Sequence, residues 1–186
     1  QIVKQHYIVD NNYAKLSISS PKPGFMAGVD MTNSNRAQMH NAPLIKFVME
    51  HTMNNHVQWC VAAYPNVTWA KKVFPDLSNE EALEKLYYAI LDASHVTIDN
   101  NPLEEWNIIN EDMTKRNEKL NELNFVSLHF KNELGTDLEV GLVENHIWAG
   151  GGEYSTGGAY FNPNIPTEEN FCMPHNKKIN GIVYST

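Results

Sequence analysis

Near residue 120 the spacing of apolar residues changes from helical to strand-like, and that change limits the folds open to this chain. Before it, Ser78-Asn-Glu-Glu81 matches a capping box, and Ala82, Leu86, Ala89, Ile90 and Ala93 repeat on one face of the helix it opens. Asn101-Pro102 sets a cap and a first-turn proline ahead of a second helix reaching about Leu123, with Leu103, Trp106, Ile109 (or Ile108) and Met113 inward. After it, Phe125-Val-Ser-Leu-His-Phe130 alternates, Gly135-Thr136-Asp137 makes a turn, and Leu138-Glu-Val-Gly-Leu142 alternates again. That pattern predicts a hairpin, or two neighbouring strands of a mixed sheet. The apolar run from Ile179 to Tyr184 predicts a last strand.

Upstream, strands and helices mix. Tyr13 to Ser19 alternates and is closed by Ser20-Pro21-Lys-Pro23-Gly24, as a strand would be. Asn33 to about Asn54 reads as helical, with Pro43 a break or a new helix start. Gln58-Trp-Cys-Val-Ala-Ala63, ended by Tyr64-Pro65, is a short buried strand. Trp69 to Phe74 makes one or two helical turns before Pro75. The fold class is therefore α/β: a mixed N-terminal domain over residues 1–115, then the β-rich start of a second domain over residues 116–186.

At 186 residues the chain can bury a real core. A net charge of −8 argues against non-specific binding to nucleic acid or to an anionic membrane. No apolar run is long enough to span a bilayer, and no basic-then-apolar signal segment is present. The only cysteines, Cys60 and Cys172, lie far apart in no metal-type spacing, which points away from a disulfide scaffold and toward a reducing cytoplasm. The chain begins at Gln1 rather than Met and stops at Thr186 just after a strand-like run, so both ends read as cut.

The segment richest in chemistry is Gly150-Gly-Gly-Glu-Tyr-Ser-Thr-Gly-Gly-Ala-Tyr160, running on to Asn164-Ile-Pro-Thr-Glu-Glu169. Glycine lets backbone approach something closely or turn through positive φ. Pro166 stiffens the approach to Glu168 and Glu169 and biases Ile165 toward extended geometry. Paired carboxylates on so constrained a loop suit a metal ion; they also suit a helix start capped by Thr167. The histidines sit in no metal-binding spacing. His51 and His56 flank a helix end and read as structural. His129 sits mid-strand, packing or facing solvent. His146, beside Trp148, is the best placed to line a pocket. No nucleophile elbow, Cys-His nucleophile signature or phosphate-binding loop occurs.

Six segments occur together in a fixed order: Gln58-Trp-Cys-Val-Ala-Ala-Tyr-Pro65, Trp69-Ala70 with Val73-Phe-Pro75, Asn101-Pro-Leu-Glu-Glu-Trp106, Gly135-Thr-Asp-Leu138, His146-Ile-Trp148 and Asn164-Ile-Pro-Thr-Glu-Glu169. In them the chain resembles the dinuclear metallo-aminopeptidases typified by aminopeptidases T and S, from about Tyr13 to Thr186. The resemblance implies a hydrolase that releases N-terminal residues from peptide substrates, using two divalent metal ions, zinc or cobalt, and a metal-activated water. It implies a homodimer, and it makes residues 116–186 the beginning of the catalytic domain. It assigns a metal-ligand glutamate to the Pro-Thr-Glu-Glu segment; relatives with Gly-Glu there point to Glu169, with Glu168 the alternative.

The family's other ligands (a further glutamate, two histidines and an aspartate), its general-base glutamate and a nearby tyrosine fall beyond Thr186. The resemblance therefore implies no catalytic residue within these 186 residues and no stoichiometric metal on them alone. A non-catalytic, truncated relative serving in assembly or peptide binding is the other reading. Asn170 and Cys172 stand where relatives commonly have Val and Thr. Cys172 could add a thiolate to the site or simply pack.

Overall fold

A computed structural model describes residues 2–11 and 13–185. Gln1 and Thr186, on which the expectation of cut ends rests, lie outside the described residues, as does the last residue of the span of resemblance. Two compact units form, one from residues 1–105 with 152–167, the other from residues 106–151 with 168–186.

The first unit opens with α1 (Ile2–Asp10), a helix to which no sequence signal had pointed. Strand β1 (Lys15–Ser19) and strand β2 (Trp59–Ala63) pair in parallel, joined by helix α2 (Thr32–Met53). The short strand β7 (Asn164–Ile165) adds to the far side of β2, also in parallel, giving the order β1-β2-β7. Parallel neighbours need crossovers of this kind, since a tight turn cannot return the chain in the same direction. Helix α2 runs unbroken through Pro43, so the proline neither breaks it nor starts a new helix. Pro43 costs the helix one hydrogen bond, but no residue of α2 is buried and water can solvate the freed carbonyl.

Helix α3 (Val67–Val73) begins at Asn66, whose side chain accepts from Trp69 N at 3.0 Å. Helix α4 (Asn79–Ala93) carries the complete capping box: Glu81 N donates to Ser78 Oγ at 3.2 Å and Ser78 N to Glu81 Oε2 at 3.0 Å. Ala70, Ala82 and Leu86 form this unit's buried cluster, closed by Trp69, Phe74, Leu77, Leu83 and Ile90. Burying a leucine such as Leu86 contributes roughly 1.5–3 kcal/mol. The inward face of α4 is narrower than its sequence suggests. Ala82, Leu86 and Ile90 point in as expected and Leu83 joins them, while Ala89 and Ala93 are exposed, because the stripe meets little beyond α3.

The second unit is built on most of helix α5 (Pro102–Leu123) and an antiparallel sheet ordered β3-β4-β8. Strands β3 (Ser127–Lys131) and β4 (Asp137–Leu142) form the hairpin; β8 (Pro174–Ile182) pairs with β4. The last strand thus starts earlier than its apolar run, and Val183 and Tyr184 fall outside it. Register explains the shift: β4 begins at Asp137, which pairs with Ile182, so Val183 and Tyr184 run past its end, while Leu142 at its other end pairs with Pro174. On α5, Trp106 and Met113 are buried and Ile109 is half-buried, whereas Leu103 and Ile108 are exposed. The inward stripe is Trp106, Asn110, Met113 and Asn117, spaced by three and four residues. Leu103 falls on that line by spacing but sits in the helix's first turn, where it stays exposed.

Candidate functional site

The Gly150 end of the glycine run and the Glu pair meet in the second unit. Ala149 and Phe171 form an antiparallel bridge, Ala149 N donating to Phe171 O at 2.9 Å and Phe171 N to Ala149 O at 2.8 Å. Gly150, one residue after Ala149, faces the main chain of Glu169, two residues before Phe171. A Cβ on Gly150 would stand 2.1 Å from Glu169 O, so only glycine admits that carbonyl. Gly151, at φ 81°, is in the left-handed region, and a Cβ there would meet Met113 Cβ at 3.1 Å and Asn110 Oδ1 at 3.2 Å. Gly152 belongs to the other unit, where it lies against the Tyr160 ring beside the small hairpin of β5 (Glu153–Tyr154) and β6 (Tyr160–Phe161).

Helix α5 supplies the polar half of this arrangement. Asn117 Nδ2 donates to Gly150 O at 3.1 Å, and Asn117 Oδ1 accepts from Asn170 Nδ2 at 2.7 Å. Asn170 Nδ2 also reaches Met113 O at 3.3 Å. One turn on, Asn121 grips Trp148 by both main-chain groups, accepting from its N–H at 2.8 Å and donating to its carbonyl at 3.2 Å. Apolar periodicity could not find these asparagines, since it counts only apolar residues. The signal that could have found them is positional: Asn110, Asn117 and Asn121 continue the stripe begun by Trp106 and Met113.

Both carboxylate residues are exposed, and the backbone after them is held through Asn170 and Phe171. The chain from Thr167 to Asn170 is irregular, which removes the reading of Thr167 as a helix cap. The Ile165–Pro166 peptide is cis. Burial pushes the Cys172 thiol up from its ordinary value, so it packs as a thiol rather than standing as a thiolate. His146 Nδ1 donates to Val143 O at 3.0 Å, and the ring meets Trp148 edge to face and lines a cleft of about 350 Å³ with Val143, Asn145 and Lys178. Trp148 is buried. His129 is exposed, with Nε2 2.7 Å from Asp137 Oδ1, and the His51 and His56 rings lie tilted against each other, centroids 4.8 Å apart, at the end of α2.

A dinuclear centre needs several donors converging on each ion. Among the described residues no three His, Cys, Asp or Glu side chains stand close enough to hold one. The Glu168–Glu169 segment offers hard oxygen donors on an ordered backbone; a complete centre is not formed by these residues, and no catalytic step is derived from them.

One unit thus holds a parallel three-stranded sheet; the other holds an antiparallel sheet, most of a long helix and an exposed pair of glutamates beside a glycine loop. The family model "Thermophilic metalloprotease (M29)" matches residues 1–186, and the chain belongs to that family. It is 36% identical to aminopeptidase T of Thermus thermophilus over 170 residues, covering 91% of this chain and 41% of that protein. It is 32% identical to aminopeptidase AmpS of Bacillus subtilis, covering 96% of this chain and 43% of the relative. The solved structure of wild-type AmpT from Thermus thermophilus superposes with a TM-score of 0.82 at 34% identity, covering 97% of this chain and 43% of that one. The chain thus spans less than half the length of the relatives it matches. Among the described residues no helix is long and apolar enough to cross a membrane.

Proposed function

We propose that this chain is part of a metal-dependent aminopeptidase that releases N-terminal residues from peptides, and that Glu169 supplies one of its metal ligands. The observation that carries this reading is the family match over the whole chain, joined to relatives named as aminopeptidases. The glycine contact at Gly150 supports the choice of this segment, because it fixes the backbone from which Glu169 projects. Glu168 is the alternative ligand. His146 and Trp148 belong to the same reading as residues near the substrate pocket. Two zinc or cobalt ions, a homodimer and a cytoplasmic setting complete it. So does the division into an N-terminal domain over residues 1–115 and the start of a catalytic domain over residues 116–186, supported by the passage from helix to strand after Leu123.

Turnover tests the proposal. Residues 1–186 are fused to the part of aminopeptidase T that they do not match, and release from an aminoacyl anilide is measured. Chelator-sensitive release that disappears in Glu169→Gln supports the reading. A folded fusion without activity favours a non-catalytic relative.

A further inference from the structure

We propose that Asn117 and Asn170 are positioning residues that set the Glu168–Glu169 arm through protein contacts alone, before any metal ion binds. The inference takes its purpose from the reading of Glu169 as a ligand, but it stands on geometry within the second unit. Glu169 has a held residue on its C-terminal side, Asn170, and its own carbonyl is packed over Gly150. Phe171, the next residue, is paired through both main-chain groups with Ala149.

Asn117 is the member that ties the two strands together. Its amide is used at both ends, the oxygen by Asn170 and the nitrogen by Gly150 O, so its orientation is determined: a flip would set donor against donor and acceptor against acceptor. It projects from α5, a regular helix, and rigid elements place a supported group more accurately than loops do. Asn170 has a second acceptor on the same helix, Met113 O, so the segment is anchored at two successive turns. Every one of these partners is a protein group. The glutamate side chains themselves stay exposed. A C-terminal flank held by α5 and the glycine strand, with the carboxylates exposed, is the arrangement a preformed ligand arm needs. An arm ordered by metal would lack these partners.

Amide hydrogen exchange on the 186-residue chain, read residue by residue by NMR, tests this through the Ala149 and Phe171 amides. In the wild-type chain their protection is expected to be the same, within about twofold, with chelator or with added zinc or cobalt. Asn117→Ala is expected to lower it on the order of tenfold, from the loss of the hydrogen bonds to Gly150 O and Asn170, while the amides of the β3–β4 hairpin keep theirs. Asn117→Asp keeps the acceptor for Asn170 but sets a carboxylate oxygen against Gly150 O, so it is expected to lower protection at least as far as Asn117→Ala. Should Asn117→Ala not fold, Asn170→Val decides, since it removes only the Asn170 bonds. Amides that gain protection only when metal is added would overturn the proposal, as would unchanged protection in Asn117→Ala or Asn170→Val. Loss of the Glu169 ligand role in a longer enzyme would leave these exchange rates untouched, which separates the two readings.

Discussion

Gly150→Ala is the most discriminating single substitution in the second unit. The new Cβ would lie 2.1 Å from Glu169 O, 3.1 Å from its carbonyl carbon and 3.2 Å from Asn170 Cα. All three atoms are main chain, so no side-chain rotation relieves the clash. The strands must part by roughly 1 Å, an overpacking strain that costs about 1–3 kcal/mol. Parting them also stretches the two Ala149–Phe171 hydrogen bonds, each worth about 0.5–1.5 kcal/mol net. Together these effects give roughly 2–6 kcal/mol of destabilisation. Gly157→Ala is the control, because its nearest neighbour is Ser155 Oγ at 3.8 Å. It is expected to stay within about 0.5 kcal/mol of wild type. Urea unfolding followed by circular dichroism gives both values, and unchanged slopes show that the midpoint shift reports stability. A Gly150→Ala midpoint no lower than that of Gly157→Ala would refute the close approach between the glycine run and the Glu pair.

Other outcomes follow from single interactions elsewhere. Ser78→Ala should cost about 1 kcal/mol in thermal or urea unfolding, because it removes the acceptor for Glu81 N and half of the capping box. The His129 and Lys131 side chains hold the Asp137 carboxyl below its ordinary value, so the stability they add is present above the unfolded carboxylate range and is lost as pH falls through the lowered value. Hairpin amide shifts should therefore move in acid as Asp137 takes up its proton, and Asp137→Asn should abolish that acid step. Cys172, with its thiol pushed up by burial, should react with a disulfide reagent at pH 8 more slowly than a free thiol; faster reaction would mark an activated thiolate.

Much of the scaffold is legible in the sequence because it rests on local chemistry. The Ser78 capping box, the Asn101-Pro102 helix start and the alternating hairpin strands each declare themselves within a few residues. What escapes has non-local causes. Leu103 reads as core by type and by its spacing to Trp106, yet it sits in the first turn of the helix and stays exposed. Pro43 signals a break, but the helix around it meets few neighbours and tolerates the missing bond. The site shows the same division. The family resemblance marks Glu168 and Glu169. The reason for the glycine at 150 is a carbonyl nineteen positions away, and the asparagines that clamp the arm carry no apolar signal at all.

Metal stoichiometry of the fusion to the unmatched part of aminopeptidase T bears most directly on Glu169. After dialysis against trace zinc, elemental analysis of the purified wild-type fusion should find two ions per chain, and Glu169→Gln should lose at least one of them while Glu168→Gln keeps both. Two ions retained in Glu169→Gln, or loss only in Glu168→Gln, would contradict the assignment of Glu169 as the ligand.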